Sequence, residues 1–184
     1  MNDDGPMFDE WLEEVDAADV VIGQRRRSEI HRLGLRHRAV HVLLFDPGGR
    51  IFLQKRSMRK DSSPGLWDTS AAGHVGPGET YGECARRELM EELGIVVEQL
   101  DFLFTMPASE DTGWEFIAVF RGTHAGPLRL QASEIDDGVW MTLDELARWE
   151  RDGGSGLTGT FRHLWRRFLD DPASIELMAL RGQP

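Results

Sequence analysis

Three glutamates near the middle of the chain have the spacing of a metal site on one face of a helix. Glu88, Glu91 and Glu92 stand at positions i, i+3 and i+4, so their carboxylates are neighbours on a helix surface. Like charges at this spacing oppose helix formation unless a cation neutralises them. Clustered carboxylate oxygens suit Mg²⁺ or Mn²⁺, whereas the single cysteine, Cys84, makes no zinc site. The alternative is a solvent-exposed acidic face paired with neighbouring arginines.

The helix that carries these glutamates has a clear start in the sequence. Thr80 followed by Glu83 forms a capping box, which predicts a helix over residues 80–93. Ala85, Leu89 and Leu93 recur at helical spacing and would face the core. The glutamates then lie on the adjacent, accessible face.

Residues 73–95 fit a longer pattern, G-x5-E-x7-R-E-U-x-E-E-x-G-U with U aliphatic, at every fixed position. The matching residues are Gly73, Glu79, Arg87, Glu88, Leu89, Glu91, Glu92, Gly94 and Ile95. This is the pattern of the Nudix box, and the chain resembles the Nudix hydrolase family. The resemblance implies an α/β (α+β) fold, an α/β/α sandwich with a mixed central sheet, over about residues 36–170.

The resemblance also implies roles for the residues of the box. In that family the glutamates hold a divalent metal ion, Mg²⁺ or Mn²⁺, against a diphosphate. Glu88 and Glu92 are therefore the expected ligands, followed by Glu91.

Four further positions of the box are expected to be structural. Arg87 would orient a glutamate through an ion pair, and Glu79 would support the site without binding metal. Gly73 and Gly94 would stand where the backbone geometry requires glycine.

Segments 35–39, 54–60 and 64–74 look like the isopentenyl-diphosphate isomerase branch of the Nudix superfamily, which includes isomerase-like hydrolases. His37, His74 and Glu115 match positions that bind metal in the isomerases. However, Ala72 stands where true isomerases carry a catalytic cysteine, and Gly113 replaces a second glutamate. The resemblance thus favours a hydrolase, with isomerisation as a weaker alternative. His31, His41, His124 and His163 are expected to be structural or exposed.

A basic segment precedes the box. Residues 25–60 hold eleven Lys or Arg and two acids, within a chain whose net charge is −11. Arg56 and Lys60 match diphosphate-binding positions of the isomerases, and Arg36 and Lys55 are near them in sequence. Guanidinium groups bind phosphate oxygens in a bidentate manner, so Arg56 is the strongest candidate. The alternative for each is a solvent-exposed position.

These features predict metal-dependent hydrolysis of a small organic diphosphate, such as a nucleoside diphosphate derivative. Hydrolysis needs a general base to take a proton from the attacking water. The candidates are Glu91, Glu115 and Glu134, the last of which precedes a predicted strand. The alternative from another functional class is a binding module that recognises a phosphorylated metabolite without turnover. Such a module has no need of the complete set of carboxylates.

The elements that must position these residues are strands with interspersed helices. The pattern predicts an acidic hairpin around turn 16–19, a helix over 28–33 ended by Gly34, and strands at 36–45, 51–54, 67, 71–72, 100–106, 114–121 and 139–141. Helices are predicted at 143–150 and around a core-facing stripe of Phe161, Leu164, Trp165, Phe168 and Leu169. We expect a hairpin extension over 1–34, a Nudix domain over 35–171 and a tail over 172–184.

Composition limits the number of domains, the classes of function and the cellular locations to be considered. The 184 residues fit one domain with extensions, and the acidic balance argues against general nucleic-acid binding. One cysteine rules out internal disulfides, and no run of residues is apolar enough for a membrane helix. No signal peptide is expected, because the acidic N-terminus lacks the basic-then-apolar order of one. A cytoplasmic location is predicted, and the hairpin could mediate a homodimer.

Overall fold

Nine strands and four α-helices make up residues 9–172, the part of the chain that the structure, a computed structural model, describes. In chain order they are β1 (Trp11–Val15), β2 (Val21–Arg26), α1 (Arg27–Leu33), β3 (His37–Phe45), β4 (Ile51–Arg56), β5 (Trp67–Asp68), β6 (Ala71–His74), α2 (Tyr81–Leu93), β7 (Leu100–Met106), β8 (Glu115–Thr123), β9 (Ile135–Met141), α3 (Leu143–Arg151) and α4 (Gly159–Asp170). A 3-10 turn, Glu110–Thr112, precedes β8.

Strand β3 lies at the centre of a seven-stranded mixed sheet. The strand order is β5-β4-β3-β8-β7, with β6 also paired to β3 and β9 also paired to β4. The β3–β8 pair is parallel and the other pairs are antiparallel. The parallel register starts with His37 opposite Glu115, so two predicted site residues are brought together by the sheet itself.

Helices cover both faces of this sheet. Successive side chains of β3 point to opposite faces, so each face contributes its own buried cluster. Val40 and Val42 share a buried cluster with Leu89 of α2. Leu43 belongs to a second buried cluster with Trp165 of α4. The predicted α/β/α sandwich with a mixed sheet is confirmed.

Helix α2 carries the glutamates of the box as predicted. Thr80 is its N-cap and forms the capping box with Glu83. Leu89 and Leu93 are buried, which fixes the helix against the sheet. Gly94 ends the helix with φ of 66°, a left-handed conformation that L side chains rarely adopt.

The N-terminal hairpin of β1 and β2 leads into α1 and packs against the sheet. Leu12 and Val15 are buried, and the N–H of Val15 donates to the carbonyl of Arg36 at 2.9 Å. Helix α1 begins at Arg27, and the side chain of Ser28 does not cap it. Instead, the N–H and hydroxyl of Ser28 donate to the carboxylate of Asp9.

The clearest differences from the sequence prediction concern α4 and β9. Leu169, at the end of the predicted stripe of α4, is 40% exposed, whereas the other four residues are buried. Strand β9 begins at Ile135 and not at Val139, because its polar first half pairs with the end of β4.

The predicted tail lies beyond the described residues except for residue 172. Between residues 9 and 172, none of the helices has the length and apolarity needed to cross a membrane.

Candidate metal and substrate site

A cavity of about 1240 Å³ lies where α1, α2, β6 and the start of β8 meet. Two groups of ligand-type residues lie at its wall. The glutamate centre consists of Glu88, Glu91 and Glu92 of α2. The histidine centre consists of His31, His37, His74 and Glu115; of these, His37 lies behind the wall and the others line it.

The two principal residues of the glutamate centre are buried. Glu88 is 8% exposed and Glu92 is 4% exposed. Oε2 of Glu92 accepts hydrogen bonds from Gln54 Nε2 at 3.1 Å and from the N–H of Ala72 at 3.2 Å. Both donors lie on strands of the sheet, so the sheet fixes this carboxylate of α2. Glu91, by contrast, is exposed and contacts Arg87.

The electrostatics of the glutamate centre suit a cation. Burial, together with the neighbouring charge of Glu88, raises the pKa of Glu92 to about 8. Burial also raises the pKa of Glu88, although Arg87 opposes the shift. Ionising both carboxylates is therefore costly in the metal-free protein, and a divalent cation would remove that cost.

Arg87 connects the glutamate centre to the loop before α2. Its guanidinium donates to Glu79 from Nε at 2.8 Å and from Nη2 at 2.9 Å. Nη1 donates to Glu88 Oε1 at 2.6 Å, and Nη2 also donates to the carbonyl of His74 at 3.0 Å. Glu79 in turn accepts from the N–H of Gly76. These are the contacts that a positioning role for Arg87 and Glu79 requires.

The histidine centre brings together four candidate ligand atoms that all lie within 4.8 Å of one another. Nε2 of His74 is 3.3 Å from Oε1 of Glu115 and 3.3 Å from Nε2 of His31. Nε2 of His37 is 3.5 Å from the same glutamate oxygen.

The orientation of His37 supports metal binding. Its Nδ1 donates to the carbonyl of Leu35 at 2.9 Å, since a carbonyl can only accept. The lone pair is therefore on Nε2, which is buried and has no hydrogen-bond partner among residues 9–172. Three imidazoles and one carboxylate form a donor set suited to a divalent transition metal.

In the metal-free protein these residues shift one another's pKa values. Burial alone would lower the pKa of His74, but hydrogen bonds with Glu10 and Glu115 raise it to about 9. Burial and the charges of His74 and His37 lower the pKa of His31 to about 4. Burial acts to raise the pKa of Glu115, yet the adjacent imidazole rings of His37 and His74 hold it well below the usual range.

Two of the four predicted phosphate-binding residues line the cavity. Arg56 donates from Nε and Nη2 to the carbonyl of Ser62, and its Nη1 is 3.4 Å from Asp68 Oδ2. Lys60 forms an ion pair with Glu134. Both cations are held near the wall by carboxylates on neighbouring elements.

The other two predicted phosphate-binding residues do not line the cavity. Lys55 follows Gln54 on β4 and therefore points to the opposite face of the sheet. Arg36 stacks its guanidinium over the ring of Trp114, 5.5 Å from the ring centroid.

The three candidate bases all lie on the wall of the cavity but have different partners. Glu91 pairs with Arg87, Glu115 belongs to the histidine centre, and Glu134 pairs with Lys60.

Three residues of the site, His31, Gln54 and Glu10, were not predicted from the sequence. His31 was expected to be structural or exposed; it is exposed, yet it belongs to the histidine centre because α1 ends at Gly34 and the chain turns back into β3. Gln54 lies two residues before Arg56 on β4, but no motif in the sequence singled it out. Glu10 carried no signal, because nothing in the sequence predicts its hydrogen bond with His74.

Comparison with known proteins agrees with this geometry. The model of the NUDIX domain matches residues 35–158. An uncharacterized Nudix hydrolase from Yersinia pestis is 39% identical over 141 residues, which cover 74% of this chain and 75% of the relative. Isopentenyl-diphosphate Delta-isomerase 2 from Aromatoleum aromaticum is 36% identical over 136 residues, covering 72% of each chain, and this similarity supports in part the predicted isomerase-like branch.

Solved structures with a similar fold were also found. The crystal structure of DR0079 from Deinococcus radiodurans aligns with a TM-score of 0.76 and 29% sequence identity, over 86% of this chain and 98% of that one. The family match includes the whole carboxylate helix, both strands of the parallel pair and the phosphate-binding candidates. The chain therefore belongs to the Nudix hydrolase family.

Proposed function

We propose that the protein uses Mg²⁺ or Mn²⁺ to hydrolyse the diphosphate linkage of a nucleoside diphosphate derivative or a related small organic diphosphate. The observation that carries this proposal is the pair of buried carboxylates, Glu88 and Glu92, at the wall of a large cavity. Their raised pKa values mark them as groups that a divalent cation would stabilise.

In this proposal the residues of the chain have distinct tasks. Glu88 and Glu92 hold the metal ion, and Arg87 keeps Glu88 in place. A bound divalent ion would neutralise phosphate charge and lower the pKa of a coordinated water. Arg56 and Lys60 contact phosphate oxygens, for which they must exchange part of their present contacts with Asp68 and Glu134.

Glu134 is the base that we favour among the three candidates. Its negative charge contributes to the raised pKa of Glu92, which indicates that it lies close to the glutamate centre. Glu115 is held by histidines, and Glu91 is held by Arg87 on the exposed side of the helix. Release of Glu134 from Lys60 when phosphate binds would free an acceptor for a proton.

The histidine centre favours a second candidate function, isomerisation of an allylic diphosphate. His37, His74 and Glu115 match metal-binding positions of isopentenyl-diphosphate isomerases, and one relative carries that name. Against it, the methyl group of Ala72 cannot transfer a proton. We therefore assign the histidine centre to a second metal ion of a hydrolase. Location in the cytoplasm and dimer formation through the hairpin remain proposals.

The test is a screen of the metal-free protein, reloaded with Mg²⁺ or Mn²⁺, against nucleoside di- and triphosphates, dinucleotides, nucleotide sugars, coenzyme A and prenyl diphosphates. Hydrolysis releases phosphate or a phosphomonoester, and isomerisation releases neither. Metal-dependent release that is lost in Glu134→Gln and Glu92→Gln would support the proposal. Substrate binding without release would identify a binding module, and rearrangement of isopentenyl diphosphate would identify an isomerase.

A further inference from the structure

The N-terminal hairpin reaches the histidine centre although it precedes the segment matched by the NUDIX domain model. Oε1 of Glu10, the residue just before β1, lies 3.1 Å from Nδ1 of His74 on β6. These two residues are 64 positions apart in the sequence, so their contact is made only by the folded chain. Glu10 also lines the cavity.

Glu10 and the candidate metal ligands contact opposite edges of the same ring. Nε2 of His74 faces Glu115 and His31, at 3.3 Å from each partner atom. Glu10 binds the other ring nitrogen, so it is not one of the clustered donor atoms. A carboxylate accepts hydrogen bonds and does not donate them when ionised, so it holds the proton of His74 on Nδ1.

Glu10 is itself fixed by α1. The N–H of Arg27 donates to the carbonyl of Glu10 at 2.8 Å, and Nε of Arg27 lies 3.5 Å from Glu10 Oε1. The preceding residue, Asp9, accepts from the N–H and hydroxyl of Ser28. Two consecutive acids therefore join the start of the helix that carries His31 to the strand that carries His74.

We propose that Glu10 is a positioning residue that holds His74 in the Nδ1–H tautomer and fixes its ring, so that Nε2 is presented to a metal ion in the histidine centre. Hydrogen bonds of this kind to the distal nitrogen of a ligating histidine typically change metal affinity by about 10- to 100-fold. The inference rests on the proposed metal binding by the histidine centre. It makes the hairpin part of the site.

Zinc binding by the full-length, metal-free protein tests the proposal. Glu10→Ala removes the acceptor, whereas Glu10→Gln keeps an amide oxygen that can accept from Nδ1–H. Glu14→Ala is the matched control, because Glu14 lies on β1, pairs with Arg25 and is absent from the cavity wall. His37→Ala identifies which part of the zinc titration belongs to the histidine centre.

We expect Glu10→Ala to weaken zinc binding at this centre by about 10- to 100-fold, with Glu10→Gln within about threefold and Glu14→Ala within about twofold of the wild type. Nitrogen-15 NMR of the zinc-loaded wild type should show His74 protonated at Nδ1. This readout does not depend on whether Glu10→Ala folds.

Three results would overturn the inference. These are zinc affinity of folded Glu10→Ala within twofold of wild type, a Gln variant as weak as the Ala variant, and an unprotonated Nδ1 in zinc-loaded wild type. The second result would mean that the negative charge of Glu10 matters and that its ability to accept a hydrogen bond does not. Failure of the underlying metal site is distinguishable, because His37→Ala would then bind zinc as the wild type does.

Discussion

Gly73 lies directly against the carboxylate of Glu88. A Cβ added at Gly73 would lie 2.0 Å from Oε1 and 2.2 Å from the carboxyl carbon of Glu88. The same oxygen accepts a hydrogen bond from Arg87 at 2.6 Å, so Glu88 has little freedom to retreat. The glycine of β6 thus makes room for a candidate metal ligand on α2.

Substituting this glycine should disturb the glutamate centre. Gly73→Ala must displace Glu88 or β6, and we expect at least a tenfold loss of kcat and of Mg²⁺ affinity, since sub-ångström placement matters for metal sites. Gly82→Ala on α2 is the control, because a Cβ there meets nothing within 4 Å. The control should keep full activity and gain about 0.5–1 kcal/mol of stability. Normal activity of Gly73→Ala would remove Glu88 from the metal site.

Glu92→Gln should abolish turnover without unfolding the protein. An amide oxygen can still accept from Gln54 and Ala72, but the charge for a metal ion is lost. We expect a loss of at least about a hundredfold in kcat. Steady-state kinetics at saturating Mg²⁺ measure this, and near-wild-type rates would remove Glu92 from the metal site.

The same variant gives a pH test in the metal-free protein. The folded-state pKa of Glu92, about 8, lies above its ordinary value of 4.5, so the unfolded chain releases this proton first as pH rises. The wild type should therefore lose stability between about pH 5 and pH 8, whereas Glu92→Gln lacks this contribution. We expect the variant to melt at least about 2–4 °C above wild type at pH 8, with a smaller difference at pH 5. Thermal unfolding in chelator at both pH values checks it.

Arg56→Ala should weaken all phosphorylated substrates alike. A charge-assisted hydrogen bond contributes about 1.5–3 kcal/mol, so kcat/KM should fall by about ten- to a hundredfold. Arg56→Lys should restore only part of this, because a point charge does not reproduce a bidentate contact. Lys55→Ala is the matched control on β4, since Lys55 does not line the cavity. If kcat/KM of Arg56→Ala lies within twofold of the wild-type value, Arg56 does not bind phosphate and is only a structural partner of Asp68.

Ala72→Cys should not confer isomerase activity. The thiol would lie at the cavity wall, because Ala72 already lines the cavity. Gly113 still lacks the second carboxylate of the isomerase set, and proton addition and removal need both groups in place. Deuterium exchange into isopentenyl diphosphate, followed by NMR, is the measurement, and exchange by the wild type would favour the isomerase function.

The sequence predicted the elements that depend on local patterns and missed contacts that depend on the folded chain. The capping box at Thr80 and the glycine at residue 94 define α2, so its bounds were predictable. The orientation of Lys55 follows from strand alternation, which is the basis of the solvent-exposed alternative that the sequence left open for this residue. His31 and Glu10 could not be assigned, because their partners lie on other elements that only tertiary packing brings near.

The histidine centre also has a consequence for folding. His31, His37 and His74 come from the first half of the chain, and Glu115 completes the group from the start of β8, directly opposite His37. Register in a parallel pair is set by contacts distant in sequence, and a slip by one residue would turn Glu115 away from His37. An ion bound by all four residues would therefore recognise only the correctly registered sheet and stabilise it by mass action. In a chain whose one cysteine excludes an internal disulfide, such a centre would act as a reversible cross-link.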